Sequence, residues 1–341
     1  MDPLELLAEL VAAYGPPGQE DEVRGVVERR SRALGYECAT DEKGNLLIGR
    51  SRIPDQRVRL LVTAHLDEIA IIVRRIEPDG RIRVTSLGGM WPWKLGEGPV
   101  ELLGAEPLPG VLSFGGIHTE DPASPAVIAK EKALTWEMAT VFAGCSAEEL
   151  QRAGITPGTR VVVPKERRRL WRMGDYVAGY FLDDRADLAA MLLVLEMLGE
   201  IPDGAVFCAT AAEEVGGVGA RSLMHRLLPD VCLALELAPM VTDAPIRLDE
   251  NPVLWVNDGY AAPHPEDNDR VAQVAREIGI DLQYQALSRG GSDASCGAAH
   301  GLCARPITLG IPMENSHGFE IMHEDGIVRL AQLTAEMVRR L

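Results

Sequence analysis

The stretch Ala205–Ala220, AVFCATAAEEVGGVGA, constrains this chain more than any other. It opens as a short apolar run, the pattern of a buried strand. It closes in two adjacent carboxylates and a glycine-rich turn, where open α/β sheets place their chemistry. Glu213 and Glu214 cannot both be buried as bare anions, because desolvating an isolated charge costs several kcal/mol or more. A bound cation for one and a shared proton for the other would remove that cost. A solvated loop with two acids there by chance is the alternative, and the rest of the chain must decide.

At 341 residues the chain exceeds the usual single-domain size, so two domains or one domain with an insertion is expected. Hydrophobic content of 46% with 25% charged residues allows an ordinary globular core. The net charge of -17 argues against nucleic acid or an anionic membrane as the main partner, and tolerates a cationic metal or a substrate with a free amine. The six cysteines are scattered with no CxxC pair, and the acidic, amphipathic start MDPLELLAELVAAYG lacks the features of a signal peptide. No run approaches the ~20 apolar residues of a membrane span. A cytoplasmic protein is the expectation.

Leucines at helical spacing cover residues 3–13 until GPPG at 15–18 stops them, and a second helix is predicted over 20–34. DEKGNLLIG (41–49) reads as a turn and a strand, RVRLLVTAH (57–65) as a buried strand ending in HLDE, and 69–76 as a further strand. From about Pro78 to Asp175 short β-like pieces alternate with glycine and proline, as in a small barrel or sandwich. Ser146 and Glu149 form a capping box for one helix in this block, and the basic run 166–172 reads as a solvated patch. The α/β texture resumes at Leu182 with a long apolar helix, the strand 205–211, a helix 218–228 and a strand 231–237. A helix 266–279, a strand 282–287, the loop SRGGSDAS, the strand ARPITLGI, a His-containing loop and a helix 326–341 complete the order. Strands alternating with helices imply a largely parallel sheet with helices on both faces.

Five positions carry an acid or histidine just after a predicted strand or at a helix start: His65, Asp183, the Glu213–Glu214 pair, Glu236 and His317. Two histidines among several carboxylates suit a borderline divalent metal such as zinc, cobalt or manganese. Each has a structural alternative: His65 as a satisfied strand-end histidine, Asp183 as a helix cap. Glu236 inside an apolar strand is harder to dismiss, because glutamate is rarely buried without a partner. Asp67, two residues past His65 on the same face of an extended chain, is placed to orient the imidazole. His118, His225, His264 and His300 have weaker cases, and His323 is an outside candidate six residues after His317.

In order and spacing, AHLDE, LDDR, AAEEVGGVGA, GGSDA and the late SH before GFE resemble the M42 family of dinuclear metallo-aminopeptidases. The likeness covers nearly the whole chain, including GPPGQE, KGNLL and AGCSAEELQRAGITPGTRVV. It implies a zinc-peptidase-like α/β catalytic domain over 1–77 and 175–341: a mostly parallel sheet flanked by helices on both faces. An inserted small all-β, barrel-like oligomerisation domain is implied over 78–174. It further implies that Asp183 bridges two divalent ions per subunit, zinc foremost with cobalt or manganese as alternatives. One ion would be completed by His65 and Glu236, the other by Glu214 and His317. Glu213 would be the general base, Asp67 would hold His65, and Arg185 with the Ser292–Asp293 turn would shape the site. Short peptides as substrates and a homo-oligomer, dimer to dodecamer, follow from the same likeness. Glu314 and Asn315 stand where relatives commonly carry an arginine–tyrosine pair, and Glu236 where aspartate is more usual. The first departure bears on substrate choice, so a dinuclear amidohydrolase or deacylase is the competing expectation. A glycosidase and a non-catalytic scaffold are weaker ones.

Overall fold

The structure, a computed structural model, describes residues 1–341, which divide into two compact units. The first comprises Met1–Glu68, Arg169–Ser316 and Glu320–Leu341; the second comprises Ile69–Arg168 with His317–Phe319.

Helices α1 (Pro3–Ala12) and α2 (Asp21–Ala33) lead the first unit. Asp2 caps α1 by accepting from the backbone N–H groups of Leu4 and Glu5, satisfying donors that a helix start leaves open. Strands β1 (Cys38–Thr40), β2 (Leu46–Ile48) and β3 (Leu60–His65) follow.

The second unit takes β4 (Ala70–Ile76), β5 (Ile82–Leu87), β6 (Gly98–Leu103), β7 (Pro107–Ser113), β8 (Thr140–Phe142) and β9 (Arg160–Val162). These close a barrel in the order β4-β5-β8-β7-β6-β9. Alternate side chains fill its interior, among them Ile71, Val73, Ile82, Val84, Val100, Leu102, Leu112, Val141 and Val161. Helices α3 (Pro92–Leu95), α4 (Pro125–Ile128) and α5 (Ala147–Arg152) are short, and α5 carries the expected Ser146–Glu149 capping box. The barrel claims β4, so the second unit starts at Ile69 rather than 78 and ends at Arg168 rather than 174. The apolar run at 69–76 has the same local pattern whichever sheet it joins, and only its pairing with β5 and β9 assigns it.

Back in the first unit, β10 (Trp171–Met173) and β11 (Tyr176–Tyr180) precede α6 (Leu182–Leu198). Then come β12 (Ala205–Thr210), α7 (Val218–Leu227), β13 (Val231–Pro239), β14 (Val253–Asn257), α8 (Pro265–Glu277) and β15 (Gln283–Ala286). Helix α9 (Asp293–Ala299), β16 (Arg305–Met313), β17 (Phe319–His323) and α10 (Gly326–Arg340) end the chain. The main sheet has eight strands in the order β1-β2-β12-β3-β13-β16-β14-β15, and β10-β11-β17 form a small separate sheet.

The main sheet is mixed, with four of its seven strand pairings parallel. β12, β3, β13 and β16 run parallel, while β2 and β14 join them antiparallel. Strand direction at these edges is set by long-range pairing and leaves no mark on a three-residue strand such as β2. Leu60, Val62 and Ala64 of β3 enter one apolar cluster with side chains of α1, α2, α6 and α10, whereas Leu61 enters another with side chains of α7 and α9. Helix α6 is buried from Leu182 to Leu195 and apolar all round from Leu188 to Leu195, as expected of a helix enclosed by the core. All six cysteines are free thiols, and no helix is long and apolar enough to cross a membrane.

Candidate active site

Parallel register assembles the site. Thr210 of β12 pairs with His65 at the end of β3, and Ala234 of β13 pairs with Thr63, which sets Glu236 level with His65. Asp183 enters from the start of α6. His65, Asp183, Asp184 and Glu236 are all buried, and one ligand atom from each lies within 4.8 Å of the others. Asp183 also approaches Glu214 within 4.8 Å. His317 belongs to the barrel unit, where its Nδ1 donates to the Gly89 carbonyl at 3.0 Å. The outside candidate His323 packs edge-on against Tyr176 at 5.4 Å and accepts from the Asp325 N–H at 3.2 Å, contacts that account for it structurally.

Two residues next to the acids in sequence hold left-handed backbone that L-residues seldom adopt: Phe181 at φ 62° and Ala212 at 55°. Strain of this kind persists where surrounding contacts over-determine the chain. The peptide between Asp183 and Asp184 is cis, and the Asp183 N–H donates to Glu320 Oε2 at 3.1 Å.

Asp67 meets His65 through both its backbone and its side chain. His65 Nδ1 donates to the backbone carbonyl of Asp67 at 3.0 Å, while the carboxylate stands 3.5 Å away. That carboxylate also accepts the backbone N–H groups of Glu213 at 2.8 Å and Glu214 at 3.0 Å. The strand end that carries His65 thereby anchors the loop that carries both glutamates. The rest of the loop is held with similar economy: Asn45 Oδ1 accepts from Ala211 at 3.0 Å, and its amide donates to the Gly219 carbonyl at 3.0 Å. A Cβ on Gly219 would lie 2.3 Å from both the Ala211 carbonyl and Asn45 Oδ1. Gly219→Ala should therefore destabilise the fold by about 1–3 kcal/mol, read as a lower urea midpoint at unchanged slope.

Arg185, fully buried, pairs with the equally buried Glu68 at 2.8 Å and also donates to the Leu66 carbonyl. Asp184, the second acid of LDDR, is the member of the cluster that sequence reasoning left unassigned. Its Oδ2 accepts the His65 N–H at 2.6 Å.

Charge at this site is lopsided. Burial pushes the Asp184 and Glu236 carboxyls well above the usual range, with Asp187 and Asp183 respectively adding repulsion. Glu213 is likewise raised by burial and by Asp293, Glu214 and Asp67 around it, against a lowering by His65. Burial lifts Asp187 to about 7 and Asp293 to about 6. For His65 burial pulls down, but Asp184, Asp183 and Asp67 outweigh it and hold the imidazole well above its ordinary value. Its Nε2 meets Asp183 Oδ1 at 3.1 Å, a contact in which a divalent cation can take the place of the proton. Buried oxygens of Asp184, Asp187 and Asp293 have no donor. This donor set of imidazole and carboxylates fits divalent metal ions, which would neutralise the surplus charge.

A pH dependence follows. The folded, metal-free chain holds protons on Asp187 and Asp293 that the unfolded chain releases near pH 4, and His65 has the same sign. Stability of the chelated protein should fall as pH rises from about 4 to about 7, and the melting-temperature gain from added metal should grow across the same window. A chelated protein whose melting temperature rose over that range would contradict the buried-acid reading.

Known proteins resemble this chain over nearly its whole length. The chain is 27% identical over 317 residues to the glutamyl aminopeptidase of Lactococcus lactis, covering 88% of this chain and 83% of that one. It is 25% identical over 354 residues to the lysyl aminopeptidase of Pyrococcus furiosus, covering 98% and 97%. Among solved structures, the dodecamer PhTET1-12s shares the fold with a TM-score of 0.85 at 23% identity, covering 99% of each chain. The family model described as M42 glutamyl aminopeptidase matches residues 44–333, so the chain belongs to the M42 family of metal-dependent aminopeptidases.

Proposed function

We propose that this peptide-bond hydrolase releases N-terminal residues from short peptides with Glu213 as general base. In this reading His65, Asp183 and Glu236 hold one divalent ion, and Asp183, Glu214 and His317 a second. The observation that carries it is the buried convergence of His65, Asp183, Asp184 and Glu236, several of whose neighbouring carboxylate oxygens have no donor. Two ions so held supply Lewis-acid chemistry, lowering the pKa of water, polarising the scissile carbonyl and anchoring a free α-amine.

The chain's own residues do the rest. His65 keeps Nε2 as its ligand atom, because Nδ1 is committed to the Asp67 carbonyl. Glu213 takes a proton from the attacking water and returns it to the leaving amine. Asp67 fixes the backbone of both glutamates, so base and ligand face different ways from one rigid turn. Zinc suits the mixed nitrogen and oxygen donors best, with cobalt or manganese able to replace it.

Several wider readings belong with this one. Helices on both faces of the main sheet are supported by the two separate apolar clusters that β3 feeds. A homo-oligomer built through the barrel unit is supported by the dodecameric fold relative and by exposed Trp91, Trp93, Val111, Ile117 and Phe142 on that unit. A cytoplasmic address is supported by six unpaired cysteines.

The test pairs metal analysis with free and N-acetylated aminoacyl amides, before and after chelation. About two ions per chain with chelator-sensitive release from free-amine substrates alone is the expected result. Cleavage of blocked amides alone would move the protein to the deacylases, and activity indifferent to chelation would remove the metal from the reading.

A further inference from the structure

We propose that Glu20 is a positioning residue for the general base, locking the backbone turn from which Glu213 projects; this rests on Glu213 being the base. Glu20 lies at the end of GPPGQE, just before α2, a motif that no role assigned above accounts for. It is 3% exposed, an unusual place for a glutamate that makes no ion pair with Lys or Arg. A single oxygen, Oε1, accepts two backbone N–H groups: Gly18 at 2.7 Å in its own loop, and Ala212 at 3.2 Å across 192 residues of chain.

The Ala212 contact falls at the decisive point. Ala212 is the residue at φ 55°, where the chain leaves β12 and turns to present Glu213. Left-handed backbone on alanine is unfavourable unless something outside it holds it in place. With Glu20 included, four successive amides are each accepted by a side chain from elsewhere: Ala211 by Asn45, Ala212 by Glu20, Glu213 and Glu214 by Asp67. Beyond the turn the loop closes on itself, with the Gly216 and Gly217 amides both donating to the Glu213 carbonyl at 2.8 Å. Removing the Glu20 acceptor frees the one residue whose torsion sets the direction of Glu213, while Asp67 still tethers the residues after it.

Because both bonds use the same oxygen, charge is not required of Glu20. The amide oxygen of Glu20→Gln can accept both N–H groups, whereas Glu20→Ala accepts neither. Expected for Glu20→Ala is a kcat at least about tenfold lower at unchanged KM and metal content, since a base displaced by about 1 Å can cost 10²-fold. Backbone amides 211–214 should exchange with deuterium faster, and Glu20→Gln should restore both kcat and protection. Wild-type kcat in Glu20→Ala, or a loss no larger than the loss of folded, metal-loaded protein, would overturn the proposal. So would failure of Glu20→Gln to rescue. Glu213→Gln is measured beside it: normal turnover there would sink the base assignment, whereas unchanged exchange at 211–214 in Glu20→Ala would sink the positioning role alone.

Discussion

Glu213→Gln should lower kcat by roughly 10²–10⁴-fold while the metal content stays at its wild-type value. Glutamine keeps the size of the side chain, and the turn is held through backbone N–H groups that the substitution leaves alone. What is lost is the only function assigned to this carboxylate, taking a proton from water and handing it to the leaving amine. Substrate affinity should change little, so the loss falls on kcat rather than KM. Steady-state kinetics with elemental analysis of the same preparation checks both halves. Near-normal turnover would show that another group serves as base; a parallel loss of metal would make Glu213 a ligand.

Asp183→Asn should empty both metal positions together, weakening metal binding by more than about a hundredfold. Groups that merely orient a ligand already cost 10–100-fold when removed, and in the proposed arrangement Asp183 would touch both ions directly. An amide offers one neutral oxygen where the bridge needs two anionic ones. The Asp183 backbone bond to Glu320 is untouched by the change, so a folded apo protein is expected. Titration of metal into the chelated variant, followed by melting temperature, reads the result. Retention of one ion would argue against a bridge and leave Asp183 serving a single position.

The comparison between chain and fold is uneven in an instructive way. The apolar runs of β3, β12 and β13 and the apolar stretch Leu188–Leu195 of α6 announce a buried sheet and its central helix, because burial on every side suppresses polar residues. Strand-end acids and histidines stand out for the same reason: they interrupt runs that are otherwise hydrophobic. Pairing partners do not stand out. The transfer of β4 to the barrel and the antiparallel entry of β2 and β14 depend on contacts far along the chain. Asp67 was legible as a neighbour of His65, but not as the acceptor for two amides on a loop 146 and 147 residues away. Glu20 and Asn45 escaped notice because ordinary polar residues near a turn carry no local mark of what they bind.

The buried pair Glu68–Arg185 restricts how this chain can change over generations. Losing either partner alone takes a close ion pair from a charge that stays in the interior, a step that costs about 3–5 kcal/mol and consumes much of a typical domain's margin. Replacing both with matched apolar side chains can be neutral. The two positions lie 117 residues apart yet form one inherited unit. Descendants are expected to keep both or exchange both, with few lineages surviving the step between.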